Sequence, residues 1–377
     1  FVFAANVEKR CNGLSVAKNT LVNLANSLLA HYGAKTFHPT NKGVDALLKG
    51  HKRIAVFLFD GAGSAIQSIH PSGAKLLLEH KVMEIKSVRP ATTVASTTAF
   101  LTARYPIETG WVGWSLPFKE YGDRNICVFP NKFQDSGVRL EGPNAMFQKC
   151  PIAYIDEHIL EAGHKAHLNM PIHVKPDGYH SQDEAFSKAD EFFLDCGEFL
   201  YTYIEQPDHM IHEEGVRSPN VGKMIKELSK RVNRFASKHP DVLTLVIADH
   251  GLINVSERDI NDYPTLQAML ARSFSVEGRT PSFKVKDGMK EAFKKEFDAL
   301  LGEDFDLKTV DEIIEMRYFG EGTPHEHSLY FLGDFVGISK SNAILVDRTT
   351  AAYNNFIAHH AGESKAERRI NISAWNI

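Results

Sequence analysis

The sequence predicts an α/β protein: a mostly parallel central sheet flanked by helices, with a smaller α+β cap inserted late in the chain. Three observations lead there. Ile54-Ala55-Val56-Phe57-Leu58-Phe59 is a continuous apolar run, the pattern of a strand covered on both faces. Two more apolar strands, Phe199–Ile204 and Val242–Ala248, alternate with amphipathic helical stretches. Each of the three strands terminates in acidic residues, as expected where ligands collect at the carboxyl edge of an open α/β sheet.

Taken in order, residues 15 to 32 predict a first helix, with Leu21, Val22, Leu24, Ala25, Leu28 and Leu29 at helical spacing and Gly33 as a stop. The run 54–59 ends in Asp60-Gly61-Ala62-Gly63. Met83-Glu84-Ile85-Lys86-Ser87-Val88 alternates and reads as a strand, which Pro90 ends; the small residues after Thr93 suit a buried helix. Gly110-Trp111-Val112-Gly113-Trp114 is a glycine- and aromatic-rich turn. Residues 151 to 168 suggest a strand–helix unit starting at Ile152. A helix over about 182 to 196 leads into the strand 199–204, which ends in Glu205-Gln206-Pro207-Asp208-His209-Met210-Ile211-His212. An amphipathic helix over 219 to 238 precedes the strand ending in Asp249-His250-Gly251. From about 255 to 340 the texture changes to an exposed strand (Ser282–Lys286), a charged helix on Met289, Phe293, Phe297, Leu300 and Leu301, and a Gly/Pro/His loop at 320 to 328. Residues 1–254 and 341–377 are therefore expected to form the core and 255–340 the cap. The segment 356–363 returns His359-His360-Ala361-Gly362 to the same edge.

Composition narrows the function. Hydrophobic residues make up 43% and charged residues 24% of the chain, ordinary values for a globular protein. A net charge of −4 offers no basic field for a nucleic-acid polymer. No apolar run has membrane-spanning length. Cys11, Cys127, Cys150 and Cys196 lack paired spacing and read as reduced residues of a cytoplasmic protein. Eighteen histidines, several beside acidic residues, direct attention to metal-ligand geometry.

The strand-edge residues Asp60, Asp208, His212, Asp249, His250 and His360, with Thr93 among them, supply enough ligands for two divalent metals, Zn²⁺ or Mn²⁺. Two metals about 4 Å apart suit in-line phosphoryl displacement, and coordination activates a hydroxyl that is otherwise a poor nucleophile. Thr92, Thr93 and Thr97 also fit as capping and packing hydroxyls; taken alone, Asp60-Gly61 and Asp249-His250-Gly251 fit turns and Asp208 with His212 fits a local hydrogen bond.

The ordered set Asp60-Gly61, Pro90 to Thr93 leading into Tyr105-Pro106 and Gly110–Gly113, Gln206-Pro207-Asp208 with His212, Asp249-His250-Gly251 and a late His-Ala-Gly resembles the nucleotide pyrophosphatase/phosphodiesterase family of the alkaline phosphatase superfamily, over roughly residues 20 to 375. The resemblance implies Thr93 as nucleophile. It implies Asp60, Asp249 and His250 as ligands of the metal that activates Thr93, and Asp208, His212 and His360 as ligands of a second. The implied reaction is cleavage of a phosphodiester or pyrophosphate bond in a nucleotide or related small molecule, through a phospho-threonine. Two positions depart from the family pattern. Trp114 stands where better-known members carry asparagine, and is expected to line the pocket or stack on a base; Thr92 stands where a lysine is usual. His325, in Gly320-Glu321-Gly322-Thr323-Pro324-His325, is a candidate substrate contact. Alternatives on the same metals are phosphomonoester or phosphonate hydrolysis, or a silent metal- or nucleotide-binding protein.

Overall fold

The computed structural model describes residues 19–175 and 177–377. Cys11 and the first residues of the helix expected over 15–32 lie outside them; the described helix is Leu21–His31.

A six-stranded sheet forms the centre, in the order Lys81–Lys86, Arg369–Trp375, Val242–Ile247, Arg53–Phe59, Phe199–Ile204, Ala166–Asn169. Arg53–Phe59 pairs in parallel with both Phe199–Ile204 and Val242–Ile247, and Ala166–Asn169 extends the parallel set. Arg369–Trp375 runs antiparallel to both its neighbours. The three apolar runs are buried along nearly their whole length because helices cover both faces. On one face Phe57 meets Phe186 and Phe235, each with ring centroids 5.1 Å away, from the helices Gln182–Leu194 and Pro219–Lys238. Tyr201 pairs in register with Val56, so it points to the opposite face, where it stacks on Phe100 of the helix Thr93–Thr102.

A second, antiparallel sheet of seven strands lies beside the first. Its order is Phe305–Thr309, Phe335–Ser339, Pro281–Phe283, Ser275–Val276, Ser115–Phe118, Arg124–Cys127, Lys132–Phe133. Residues of the segment read as a late cap thus share one sheet with residues 115–133. The bridge between the two groups is the single pair Val276 and Ser115. Two local expectations are corrected. The segment 282–286 is exposed only at its lysines: Ser282, Phe283 and Val285 are buried, because neighbours pair both edges of Pro281–Phe283 and Phe293 and Phe297 cover Phe283. The unit at 151–168 is helix first, Ile155–Glu161, then strand. Tyr154 and Glu157 form a capping box that starts the helix where apolar Ile152-Ala153 suggested a strand. No described helix is long and apolar enough to cross a membrane, and Cys127, Cys150 and Cys196 are free thiols.

Candidate active site

Three central strands end side by side, which brings Asp60, Asp208 and Asp249 to one edge. Glycines permit the closeness. Gly61 has φ +73°, and a Cβ there would lie 2.8 Å from Leu252 and 3.0 Å from the Asp208 backbone. The Asp208 N–H donates to the Asp60 carbonyl (3.0 Å), and Asp249 Oδ1 accepts from the Gly61 and His250 N–H groups (3.1 and 2.9 Å). Backbone contacts therefore hold Asp60 and Asp208 side by side and fix the Asp249 carboxylate directly.

Backbone carbonyls also orient the histidines. His212 Nδ1 donates to the Ala358 carbonyl (2.8 Å), which leaves Nε2 facing Asp208 at 3.1 Å. His250 Nδ1 donates to Gly251 (3.2 Å), so its Nε2 faces Asp60 Oδ1 at 3.4 Å and Asp249 Oδ2 at 3.3 Å. An imidazole whose far nitrogen is committed to a carbonyl presents its other nitrogen as a ligand. His360 closes the group, 4.1 Å from the His250 ring and 5.1 Å from the His212 ring.

Thr93 is the first residue of the helix Thr93–Thr102. Its Oγ1 lies 3.1 Å from His250 Nε2 and 3.4 and 3.5 Å from the two Asp60 oxygens. Unpaired N–H groups at such a helix start, with the positive end of the dipole, favour a phosphate beside the hydroxyl. The helix is buried over its full length, so this end is rigidly held.

The electrostatics call for a cation. Ion pairs of the three aspartates go to histidines alone among the described residues. Burial, reinforced by the neighbouring carboxylates Asp249 and Asp208, pushes the Asp60 carboxyl well above its ordinary range, although a hydrogen bond from Tyr203 opposes this. Burial likewise raises Asp249 against the pull of His250. At Asp208 burial is outweighed by His212, which lowers its pKa, and His212 is raised in turn. Burial and the three surrounding imidazoles hold His360 well below its usual value, hence neutral and able to ligate. Asp208 Oδ1, Asp249 Oδ2 and His360 Nδ1 are buried without a hydrogen-bond partner. Uncompensated buried carboxylates with idle donor atoms fit divalent metals. Two groups have ligand geometry: Asp208, His212 and His360, and Asp60, Asp208 and His250.

A cavity of about 360 Å³ opens onto this cluster, with Thr93, Asp208, His212 and His360 on its lining. Trp114 also lines it, 39% exposed. His325 does not. It packs by Gly110 and Cys150, with Nδ1 3.6 Å from Cys150 Sγ, and its N–H donates to Ile107. The loop after Gly320 is tied down there: a Cβ on Gly320 would strike the Tyr105 ring. Sequence reasoning missed Glu277, which is buried in the cavity wall. Its Oε1 accepts from Thr92 Oγ1 (2.7 Å) and from the Trp114 N–H (2.8 Å). Nothing in the run Val276-Glu277-Gly278 sets it apart, since its placement depends on the junction between the two halves of the second sheet.

Comparison with known structures gives the same fold. Murine ectonucleotide pyrophosphatase/phosphodiesterase 5, as an inactive variant in complex with AMP, superposes with a TM-score of 0.63 at 15% identity, covering 86% of this chain and 88% of its own. The human counterpart gives 0.62 at 14% identity, over 85% and 87%. Phosphonoacetate hydrolase from Sinorhizobium meliloti, in complex with phosphonoformate, gives 0.61 at 13% identity, over 85% and 89%. No curated protein sequence matches. The model of the type I phosphodiesterase/nucleotide pyrophosphatase family matches residues 54–361, a span that holds every residue of the cluster. With that match over most of its length, the chain belongs to the type I phosphodiesterase/nucleotide pyrophosphatase family of metal-dependent hydrolases.

Proposed function

We propose that the protein hydrolyses phosphodiester or pyrophosphate bonds of nucleotides or related small molecules, with Thr93 as nucleophile. The observation that carries this reading is the Thr93 hydroxyl at a buried helix start, 3.1 Å from His250 Nε2 and within 3.5 Å of both Asp60 oxygens. Asp60, Asp249, His250 and Thr93 would hold one divalent metal and Asp208, His212 and His360 a second, zinc or manganese by their donor set. Such ions supply Lewis acidity toward phosphoryl oxygens and lower the pKa of a bound hydroxyl.

The chain's own part is positional. The N-terminal N–H groups of the helix Thr93–Thr102 orient a non-bridging oxygen of the phosphate. Thr93 Oγ1 gives its proton to solvent and forms a bond to phosphorus; the bond to the leaving oxygen breaks, and that oxygen takes up a proton from solvent, so no net proton is consumed in this step. Water then attacks the phospho-threonine and restores the hydroxyl. AMP and phosphonoformate in the two relatives are small phosphorus acids, which supports a small-molecule substrate.

The test compares bis-p-nitrophenyl phosphate with p-nitrophenyl phosphate, in Zn²⁺ or Mn²⁺ and after chelation. A chelator-sensitive preference for the diester supports the reading, and a preference for the monoester moves the function to a phosphatase. Thr93→Ala should lower turnover by about four orders of magnitude or more while metal content stays nearly intact. Near wild-type activity in that variant would refute the nucleophile.

A further inference from the structure

Away from the cavity, where the edge strand Lys81–Lys86 pairs with Arg369–Trp375, positive charge collects around a single carboxylate. Glu363 Oε1 accepts from Arg89 Nε (2.7 Å) and Glu363 Oε2 from Arg368 Nη1 (3.1 Å). Lys86 is exposed, and its side chain has no hydrogen bond or ion pair among the described residues. Arg369 stands directly opposite Lys86 in the strand register and is taken by Glu84 at 3.2 Å. Partial burial, followed by the charges of Arg368, Arg89 and Arg369, holds the Lys86 ammonium below its ordinary range against the pull of Glu363. The four cations therefore share one neighbourhood.

This is more than a solvated charged face. The Arg89 and Arg368 side chains are only 19% and 15% exposed, and Arg368 Nε is buried with no acceptor. Two guanidiniums largely withdrawn from water thus divide one carboxylate between them, and the neighbouring ammonium has none. With Arg369 matched by Glu84, three cations face one anion, an excess of positive charge in a chain whose net charge is −4. Like charges on directly opposed strand positions repel, and a donor removed from water without an acceptor costs its desolvation. An arriving anion relieves the repulsion and supplies the missing counter-charge. Arg89 is further held by the Tyr318 ring, whose centroid lies 5.6 Å from its Cζ, so this cation is positioned in advance.

We propose that Lys86, Arg89 and Arg368 form a second anion site, outside the catalytic cavity, for a small inorganic dianion of the phosphate and sulfate class. None of the three residues lines that cavity. Guanidiniums suit the class because their forked N–H groups match the spacing of two oxygens on a tetrahedral centre, and exposed Lys86 forms the entrance. Glu363 is the internal occupant with which the anion competes. The site also lies on two segments of the catalytic cluster. Arg89 leads into Pro90–Thr93, and Glu363 follows His360-Ala361-Gly362. The Ala361 N–H donates to the Ala91 carbonyl (2.9 Å), which joins the same two segments through the backbone.

The probe is inorganic sulfate, titrated by calorimetry into the metal-loaded protein at constant ionic strength, with chloride as the monovalent control. Sulfate should bind and chloride should not. The sulfate affinity should fall about tenfold or more in Lys86→Met and in Arg368→Gln, the scale of one lost charge-assisted hydrogen bond. It should rise in Glu363→Gln, which removes the competing carboxylate. Asp208→Ala disturbs the metal ligands and should retain the binding. Lys86 is exposed, so Lys86→Met decides the matter even where Arg368→Gln fails to fold. Absence of sulfate binding by the wild type at millimolar concentration overturns the proposal, as does an affinity unchanged in Lys86→Met. Binding that survives in Lys86→Met and disappears in Asp208→Ala places the sulfate at the metal ligands and overturns it as well.

Discussion

Glu367→Gln is expected to destabilise the protein by about 4 kcal/mol, the middle of the range for breaking a buried ion pair from one side. Glu367 is fully buried and its partner Arg279 is 1% exposed. Oε1 accepts from Arg279 Nε (2.7 Å) and from the Gly362 N–H (2.7 Å); Oε2 accepts from Arg279 Nη2 (3.0 Å) and Ser364 Oγ (2.6 Å). Glutamine keeps the shape but removes the charge and turns one acceptor into a donor aimed at other donors. Arg279 then loses its buried counter-charge and keeps one amide oxygen with the carbonyls of Ala343 and Ser341. For a chain of this length, 4 kcal/mol corresponds to a fall in Tm of about 5 °C. The assay is thermal unfolding followed by circular dichroism, metal-replete, with Arg279→Met/Glu367→Met as control; an apolar pair should recover much of the loss. The pair also joins the His360–Gly362 segment to the strand end that carries Glu277, so metal affinity should weaken in the glutamine variant. A shift under about 1 °C would refute the reasoning, because it would mean the pair is exchanging with water.

Three further outcomes follow from the geometry. Asp208→Ala should reduce bound metal from two ions to one per chain by elemental analysis, since His212 and His360 then lack their carboxylate. Gly113→Ala places a Cβ against the Val276 carbonyl, should cost about 1–3 kcal/mol in denaturant unfolding, and should disturb the neighbouring Glu277. In the metal-free protein, Glu277 titrates at about 7 against an ordinary 4.5. The native state therefore keeps a proton that the unfolded chain has lost. Its stabilising effect is complete below about 4.5 and disappears as pH rises through about 7, a fall of roughly 3 kcal/mol at 1.4 kcal/mol per unit. Glu277→Gln should remove that part of the pH dependence, and equal slopes in the two proteins would contradict the burial argument.

The central sheet was legible because its strands are buried on both faces, so Ile54–Phe59 carries an uninterrupted apolar signal and its terminal Asp60 stands out. The meeting of the aspartates and histidines at one edge was legible for the same reason: strand ends fix where side chains go. The second sheet was harder to read. Its strands Ser275–Val276 and Lys132–Phe133 are two residues long, too short for any period to appear, and their partners come from distant parts of the chain. Glu277 owes its place to that pairing and to the positive φ of Val276, neither of which leaves a local trace. His325 reads in the sequence as a candidate substrate contact, but it lies outside the cavity lining, in a loop whose Gly320 and Gly322 serve close contacts with Tyr105 and Glu108.

The mixed origin of the second sheet also governs the order of events during synthesis. The hairpin formed by Ser115–Phe118 and Arg124–Cys127 leaves the ribosome long before Ser275–Val276, the strand that closes its inner edge. In the interval that edge is open to pairing with other chains. The contact that completes the cavity wall is thus among the late ones, and it spans a sequence separation that slows closure. A nascent chain can therefore have the carboxylates of the central sheet in place while the Glu277 wall is still missing. Separate expression of residues 255–340 would sever the same pairing, so that fragment is expected to aggregate rather than fold alone.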